Sequence, residues 1–170
     1  MITIPLTIIT IGFAGFWDLK TNRIPNLITM PAVVLGLIIN TYYFGLQGLG
    51  NSLLGTVVGT LLLIIPFAVG GIGAGDVKLL AAVGALNGLQ FVFSSFLYSA
   101  VIGGIIASAI LTVKGQLYYV LLNILVALQN VSFHIFKRRE KQSFKPITVG
   151  ISFPYGIAIL LGTVAAYWLR

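Results

Sequence analysis

The sequence predicts an all-α, polytopic membrane helical bundle, with six transmembrane helices and one amphipathic helix lying in the cytoplasmic interface. Three observations carry this. The 170-residue chain is 58% hydrophobic and only 8% charged, against about a quarter charged in soluble domains. Its mean hydropathy is +1.06, yet a globule of this size hides only about two-thirds of the surface its unfolded chain exposes. Several apolar runs also approach the ~18–20 residues that cross a bilayer as a helix.

Taken in order, the first span is Ile2–Trp17. It has no basic region before it, its positive charges (Lys20 and Arg23) follow it, and no A-x-A cleavage pattern ends it. It therefore reads as a span of the mature protein rather than a cleaved signal. Leu27–Phe44 and Leu53–Val69 follow, joined by an uncharged loop from Gly45 to Ser52. The fourth and fifth spans, Val77–Phe93 and Phe96–Val113, are divided by Asn87, Gly88, Gln90, Ser94 and Ser95. Pro154–Leu169 is the last.

The stretch from Lys114 to Arg139 is different. Gln116, Asn123 and Asn130 recur every seven residues and draw a polar stripe on a helix. Lys114 precedes it, and Lys137, Arg138, Arg139, Lys141 and Lys145 lie at or beyond its end. A spanning helix would leave one basic flank on the wrong face, whereas an interfacial helix keeps both in the cytoplasm. Lys20, Arg23 and Lys78 then become cytoplasmic too, and both termini lie outside. Trp17, Tyr42, Tyr43 and Trp168 fall near span ends, where amphipathic rings prefer to sit.

The net charge of +7, from ten basic residues against three acids, is thus topological and does not indicate nucleic acid. The absence of cysteine excludes disulfides, thiolate nucleophiles and cysteine-ligated zinc. A single histidine, His134, excludes the two-histidine zinc protease signature. Small residues recur at helical spacing, as Gly55 and Gly59, as Ser99, Gly103 and Ala107, and as Ala158, Gly162 and Ala166. Such stripes let helices approach closely, here within one chain rather than at a dimer face. No repeat or linker divides residues 1–170, which read as a single membrane-embedded domain.

Of the three carboxylates, Glu140 lies in a Lys-Arg-Arg-Glu-Lys run and reads as a solvated loop residue. Asp18 ends the first span and Asp76 opens the fourth, directly after Gly70-Gly71-Ile72-Gly73-Ala74-Gly75. Two spans separate them, so both lie at the same membrane face, the cytoplasmic one. Ionisable residues at such positions are functional by default. Two facing carboxylates cannot both ionise cheaply, so the pair shares a proton. The ionised member can take a proton from a water attacking a peptide carbonyl, and the protonated member can polarise that carbonyl. Neither metal nor cofactor is required. The glycines beside Asp76 read as permitting positive φ and close approach of a substrate backbone.

Gly73-Ala74-Gly75-Asp76 resembles the GxGD motif of intramembrane aspartyl proteases. With Asp18-Leu19-Lys20-Thr21-Asn22-Arg23-Ile24-Pro25-Asn26, it is similar specifically to type IV prepilin peptidases, in which an aspartate after the first span precedes a basic residue and Ile-Pro-Asn. Lys78 matches the family's lysine two residues after the second aspartate, and Pro154-Tyr155-Gly156 its late proline-glycine element. The presenilin-like branch instead pairs GxGD with a tyrosine-aspartate and a Pro-Ala-Leu, both missing here. Larger prepilin peptidases add paired cysteines that bind zinc and accompany N-methylation. Without them the chain resembles the short form, similar to tight-adherence-pilus or archaeal preflagellin peptidases, and methylation is not expected.

The resemblance implies an aspartic endopeptidase of the cell membrane that removes the short basic leader of a prepilin-like precursor at the cytoplasmic face. Asp18 and Asp76 would be catalytic, with Gly73, Gly75, Lys20, Arg23, Pro25, Asn26, Lys78, Pro154, Tyr155 and Gly156 in support. Lys20, Arg23 and Lys78 read equally as positive-inside anchors, and Pro25 and Asn26 as the start of span two. The rival class is a small proton- or cation-coupled transporter using the aspartates as a relay. Such proteins place their carboxylates near mid-membrane among inverted repeats, which this sequence lacks.

Overall fold

The structure is a computed structural model that describes residues 3–21, 23–68, 71–113, 115 and 155–169. Among these residues five helices follow one another: α1 (Thr3–Thr21), α2 (Asn26–Ala68), α3 (Ala74–Asn87), α4 (Leu89–Val113) and α5 (Tyr155–Trp168). The expected interfacial helix over Lys114–Arg139, with His134 and Glu140, lies outside the described residues, as does Pro154.

Glycine decides where the chain turns. As a straight rod the 43 residues of α2 would measure about 65 Å, twice the ~30 Å of a hydrocarbon core. Gly45, at φ 61° and ψ −144°, breaks the rod in a conformation that glycine adopts without steric cost. Asn40 Nδ2 donates to the carbonyls of Ala85 and Leu86 at 3.0 and 3.1 Å, and Ser52 Oγ donates to the same Ala85 carbonyl. In one straight helix residues 40 and 52 would stand about 18 Å apart. The chain therefore folds back at Gly45, giving two arms, 26–44 and 46–68. The loop expected over Gly45–Ser52 shrinks to a single residue, because Asn51 and Ser52 find partners on neighbouring helices rather than in water.

The arms clasp α3. Leu79, Leu80, Val83 and Leu86 of α3 are fully buried. The fit depends on small residues: a Cβ on Gly36 would lie 2.7 Å from the Ala85 backbone, one on Gly59 2.7 Å from the Leu80 carbonyl, and Gly55 abuts Gly84. The other two stripes also pack within the chain, Ser99 against Gly162 and Gly103 against Ala158 and Tyr155. Ser95 and Thr163 hydroxyls bond at 2.7 Å between α4 and α5.

The break between α3 and α4 falls earlier than the sequence predicted. Gly88, at φ 84°, ends α3 by donating its N–H to Gly84, and Asn51 Oδ1 accepts the Leu89 N–H at 3.1 Å to start α4. Gln90, Ser94 and Ser95 are helical, so the expected spans Val77–Phe93 and Phe96–Val113 become Ala74–Asn87 and Leu89–Val113. Ser94 and Ser99 bond back to their own helix, which is how apolar helices tolerate serine.

Residues 1–103 with 150–170 form one compact unit and residues 104–149 a second. In the second, α4 runs to Val113 with Ser108 and Thr112 bonded to carbonyls one turn back, and Gly115, at φ 66°, turns the chain. In the first, polarity is inverted relative to a soluble protein. Thr7, Thr29, Ser52, Ser95, Ser99 and Thr163 are buried, while Phe13, Leu27, Leu46 and Val101 are exposed. Asn26–Ala68 and Leu89–Val113 are long and apolar enough to cross a bilayer, and only 28% and 11% of their most apolar stretches are covered. A soluble core helix would be covered, so the outward apolar faces suit a membrane rather than water. This is a membrane protein.

Candidate active site

Asp18 sits in the last turn of α1 and is buried. Its Oδ2 accepts the Gly156 N–H at 3.0 Å, at the first turn of α5. A helix N-terminus presents unpaired amides and partial positive charge, a natural seat for a carboxylate. Glycine permits this close approach, because a Cβ at position 156 would lie 2.7 Å from that same Oδ2 and would have to displace it.

Asp76 occupies the first turn of α3 and is equally buried. Its Oδ2 accepts the Gly73 N–H at 3.0 Å, closing the N-terminus of its own helix as a capping-box acid does. Its Oδ1 is buried with no hydrogen-bond partner among the described residues. Native structures leave few such atoms, because each carries an uncompensated desolvation cost. A proton, a water or a substrate group at Oδ1 would remove that cost.

The two aspartates, remote in sequence, line one cavity of about 260 Å³, together with Arg23, Ile24, Asn26, Ala74 and Lys78. The Asp18 carboxylate is close enough to act on Asp76 through its charge. Tyr155 lies within electrostatic reach of Asp76, and its neighbour Gly156 holds Asp18. The start of α5 thus holds Asp18 and lies near Asp76.

Most of the remaining sequence-predicted residues gather around this cavity, for reasons the sequence did not reveal. Gly73 is extended (φ −83°, ψ 154°) and Gly75 is helical, so neither needs positive φ, contrary to expectation. Their shared reason is proximity: a Cβ on Gly75 would meet Ile24 Cβ at 2.8 Å, and one on Gly73 would meet Asp76 Oδ2 at 3.3 Å. Ile24 is buried and clamps the α1–α2 turn onto α3. An apolar residue between Arg23 and Pro25 was the available signal for it. Lys78 Nζ donates to Asn26 Oδ1 at 2.9 Å, tying α3 to the start of α2. The Pro25 carbonyl accepts the Ile28 N–H at 3.1 Å and opens α2, as expected of a helix start. Lys20 is exposed and does not line the cavity.

Residues 5–108, which contain both aspartates, match the type IV leader peptidase family. The chain is 36% identical over 105 residues to a prepilin leader peptidase/N-methyltransferase of Stutzerimonas stutzeri, covering 57% of this chain and 36% of that protein. Identity is 36% over 107 residues to the protein of the same name in Pseudomonas putida, covering 58% of this chain and 36% of that one. For Xanthomonas campestris it is 32% over 122 residues, covering 66% and 41%. The matched segment thus spans well under half the length of these relatives. No solved structure matches the chain. With more than half of its residues matched and both aspartates inside the match, the chain belongs to the type IV leader peptidase family.

Proposed function

We propose that the chain is an aspartic endopeptidase that cuts the short basic leader from a prepilin-like precursor, with Asp18 and Asp76 as the catalytic pair. The observation that carries this is the shared cavity: two buried carboxylates, each with one oxygen fixed by a glycine amide, and a further Asp76 oxygen without a partner. The family's name supports the substrate class.

In the reaction, a water held between the carboxyl groups attacks the scissile carbonyl carbon. The ionised aspartate takes the water's proton, while the protonated one hydrogen-bonds to the carbonyl oxygen. The tetrahedral intermediate then collapses, the C–N bond breaks, and the amine leaves with a proton from the dyad. Because the pair titrates as a unit, the proton belongs to neither residue alone. The amides of Gly73 and Gly156 hold Oδ2 of each acid and so aim the other oxygens at the reacting groups.

In the membrane, α1, the two arms of α2, α3, α4 and α5 supply the six spans, and the cavity opens at the cytoplasmic face. The positive-inside rule supports this orientation, since Lys20 and Lys78 lie at the cavity's end of α1 and α3 and Arg23 in the turn between α1 and α2. The leader is then cut where it meets the bilayer.

The test is co-expression with a prepilin-like precursor from the same genome, read by gel shift. Asp18→Asn and Asp76→Asn are each expected to abolish trimming while the protein still accumulates in membranes. Normal trimming by either variant overturns the proposal.

A further inference from the structure

Each carboxyl group is bound to a glycine amide rather than to the other acid. Their separation is therefore set by how the end of α1 is held against the start of α3. Two contacts in the turn between α1 and α2 bear on it.

The first is made by Thr21, the last residue of α1. Its Oγ1 donates to the Trp17 carbonyl at 2.9 Å and to the Arg23 carbonyl at 3.0 Å, one proton shared between two acceptors. Bonding one turn back is ordinary for a helical threonine, and Thr7, Thr10 and Thr41 do the same. Of the described threonines, Thr21 alone also bonds to a carbonyl ahead of it. The last turn of α1, which carries Asp18, is thereby fixed to the residue before Ile24.

The second contact is Ile24 against Gly75. Ile24 is buried, and a Cβ on Gly75 would lie 2.8 Å from its Cβ, 3.1 Å from its N and 3.4 Å from its Cα. Backbone as well as side chain makes the contact, so no change of rotamer can slacken it. It falls one residue before Asp76. The exposed Lys78–Asn26 bond runs beside it, but water competes for both of its ends.

We propose that Thr21 and Ile24 are positioning residues, a brace that sets the distance between the Asp18 and Asp76 carboxyl groups. The proposal rests on the peptidase reading above and concerns how its catalytic pair is held. Thr21 is exposed and does not line the cavity. Ile24 forms part of the cavity wall, but its side chain offers neither a proton nor a charge. Both act through the acids.

The test is Thr21→Val, which keeps the branched shape and removes the shared proton, in purified protein cleaving a prepilin-like precursor of the same genome. A displacement near 1 Å costs about 10²-fold, and a slackened brace should lower the saturated rate about tenfold. The precursor concentration for half-maximal trimming should stay unchanged, because binding is untouched. The bell of rate against pH should narrow, its alkaline limb moving to lower pH, since carboxyls further apart oppose each other's ionisation less. Arg23 and Lys78 in the cavity lining and Tyr155 at the start of α5, the other titratable groups beside the pair, are not altered. Thr21→Ser, which keeps the hydroxyl, should restore both rate and bell width. Gly75→Ala pushes on Ile24 from the other side and should cost about 10²-fold. Adding Thr21→Val to it should cost little more, because both changes act on one brace.

A Thr21→Val protein with a lower Tm but an unchanged saturated rate and pH profile would make the hydroxyl merely structural and overturn the proposal. Equal losses in the Val and Ser variants, or losses that multiply in the double variant, would do the same. The peptidase reading is scored separately. With Asp18→Asn and Asp76→Asn inactive and Thr21→Val unchanged, the brace alone fails; trimming by either aspartate variant refutes the dyad and the brace together.

Discussion

The two ends of α3 offer the sharpest comparison in the molecule. At its C-terminal end lies the larger hollow, about 710 Å³, bordered by Thr3, Asn40, Gln47, Asn51, Asn87 and Tyr167 among others. At its N-terminal end lies the 260 Å³ cavity with Asp18 and Asp76. Size favours the first as a site, but chemistry favours the second. In the larger hollow the polar groups close on one another: Tyr167 donates to Asn87 Oδ1 at 2.6 Å, Asn87 Nδ2 to Thr7 at 2.8 Å, Asn40 to Ala85 and Leu86, and Asn51 accepts from Leu89. These amides stitch α1, α2, α3 and α5 together and cap α4. At the other end two carboxylates line one cavity, and a buried oxygen of Asp76 stays unpaired among the described residues. Satisfied polarity is structural, and unsatisfied polarity is where chemistry is expected.

Substitutions should separate the two ends. The largest effect belongs to the acids. Asp18→Asn or Asp76→Asn should lower trimming by about 10²–10⁴-fold, the cost of losing a proton-transfer partner, with membrane levels unchanged on immunoblot. Next comes Gly156→Ala. Its methyl would push Asp18 Oδ2 away from α5, and a displacement near 1 Å costs about 10²-fold. Alanine otherwise favours a helix, so unfolding in detergent should not occur earlier. At the opposite end the pattern should invert. Asn87→Ala breaks the link between Thr7 and Tyr167 and should cost about 1–3 kcal/mol of stability, seen as a lower Tm, while the folded fraction trims at the normal rate. The smallest effect is expected from Asn26→Ala, which loses an exposed bond to Lys78. Exposed changes move stability by about 0.5 kcal/mol or less, so trimming should shift by no more than about twofold. A large loss there would mean that Lys78 serves the reaction directly.

How much of this was legible beforehand differs between fold and site. The apolar runs gave the helices, because lipid imposes length and composition on whole segments. Turns were harder to read. Gln47, Asn51 and Ser52 looked like an exposed loop, and Ser94 and Ser95 like a break, because polarity was read as contact with water. In the structure Asn51, Ser52 and Ser95 bond to neighbouring helices and Ser94 to its own helix, and positive-φ glycines at 45 and 88 make the breaks.

At the site, Asp18 and Asp76 stood out because so few carboxylates exist in the chain. Their partners Gly73 and Gly156 were named only through the family resemblance, without the contact each one makes. That Gly156 permits the approach of Asp18, or that Gly75 admits Ile24, depends on distances between helices remote in sequence. Periodicity along one segment carries no trace of them. The orphaned oxygen of Asp76 was equally hidden, since only a packed structure shows which polar atoms lack partners.

The claim at the centre is that Asp18 and Asp76 share one proton and act as a unit. The rate of precursor trimming by purified protein, followed from acid to alkaline pH, tests it most directly. A pair that works only when singly protonated gives a bell: the rate rises as the first carboxyl ionises and falls as the second does. A rate that rises to a plateau and stays there would mean that a single carboxylate suffices, and would contradict the account.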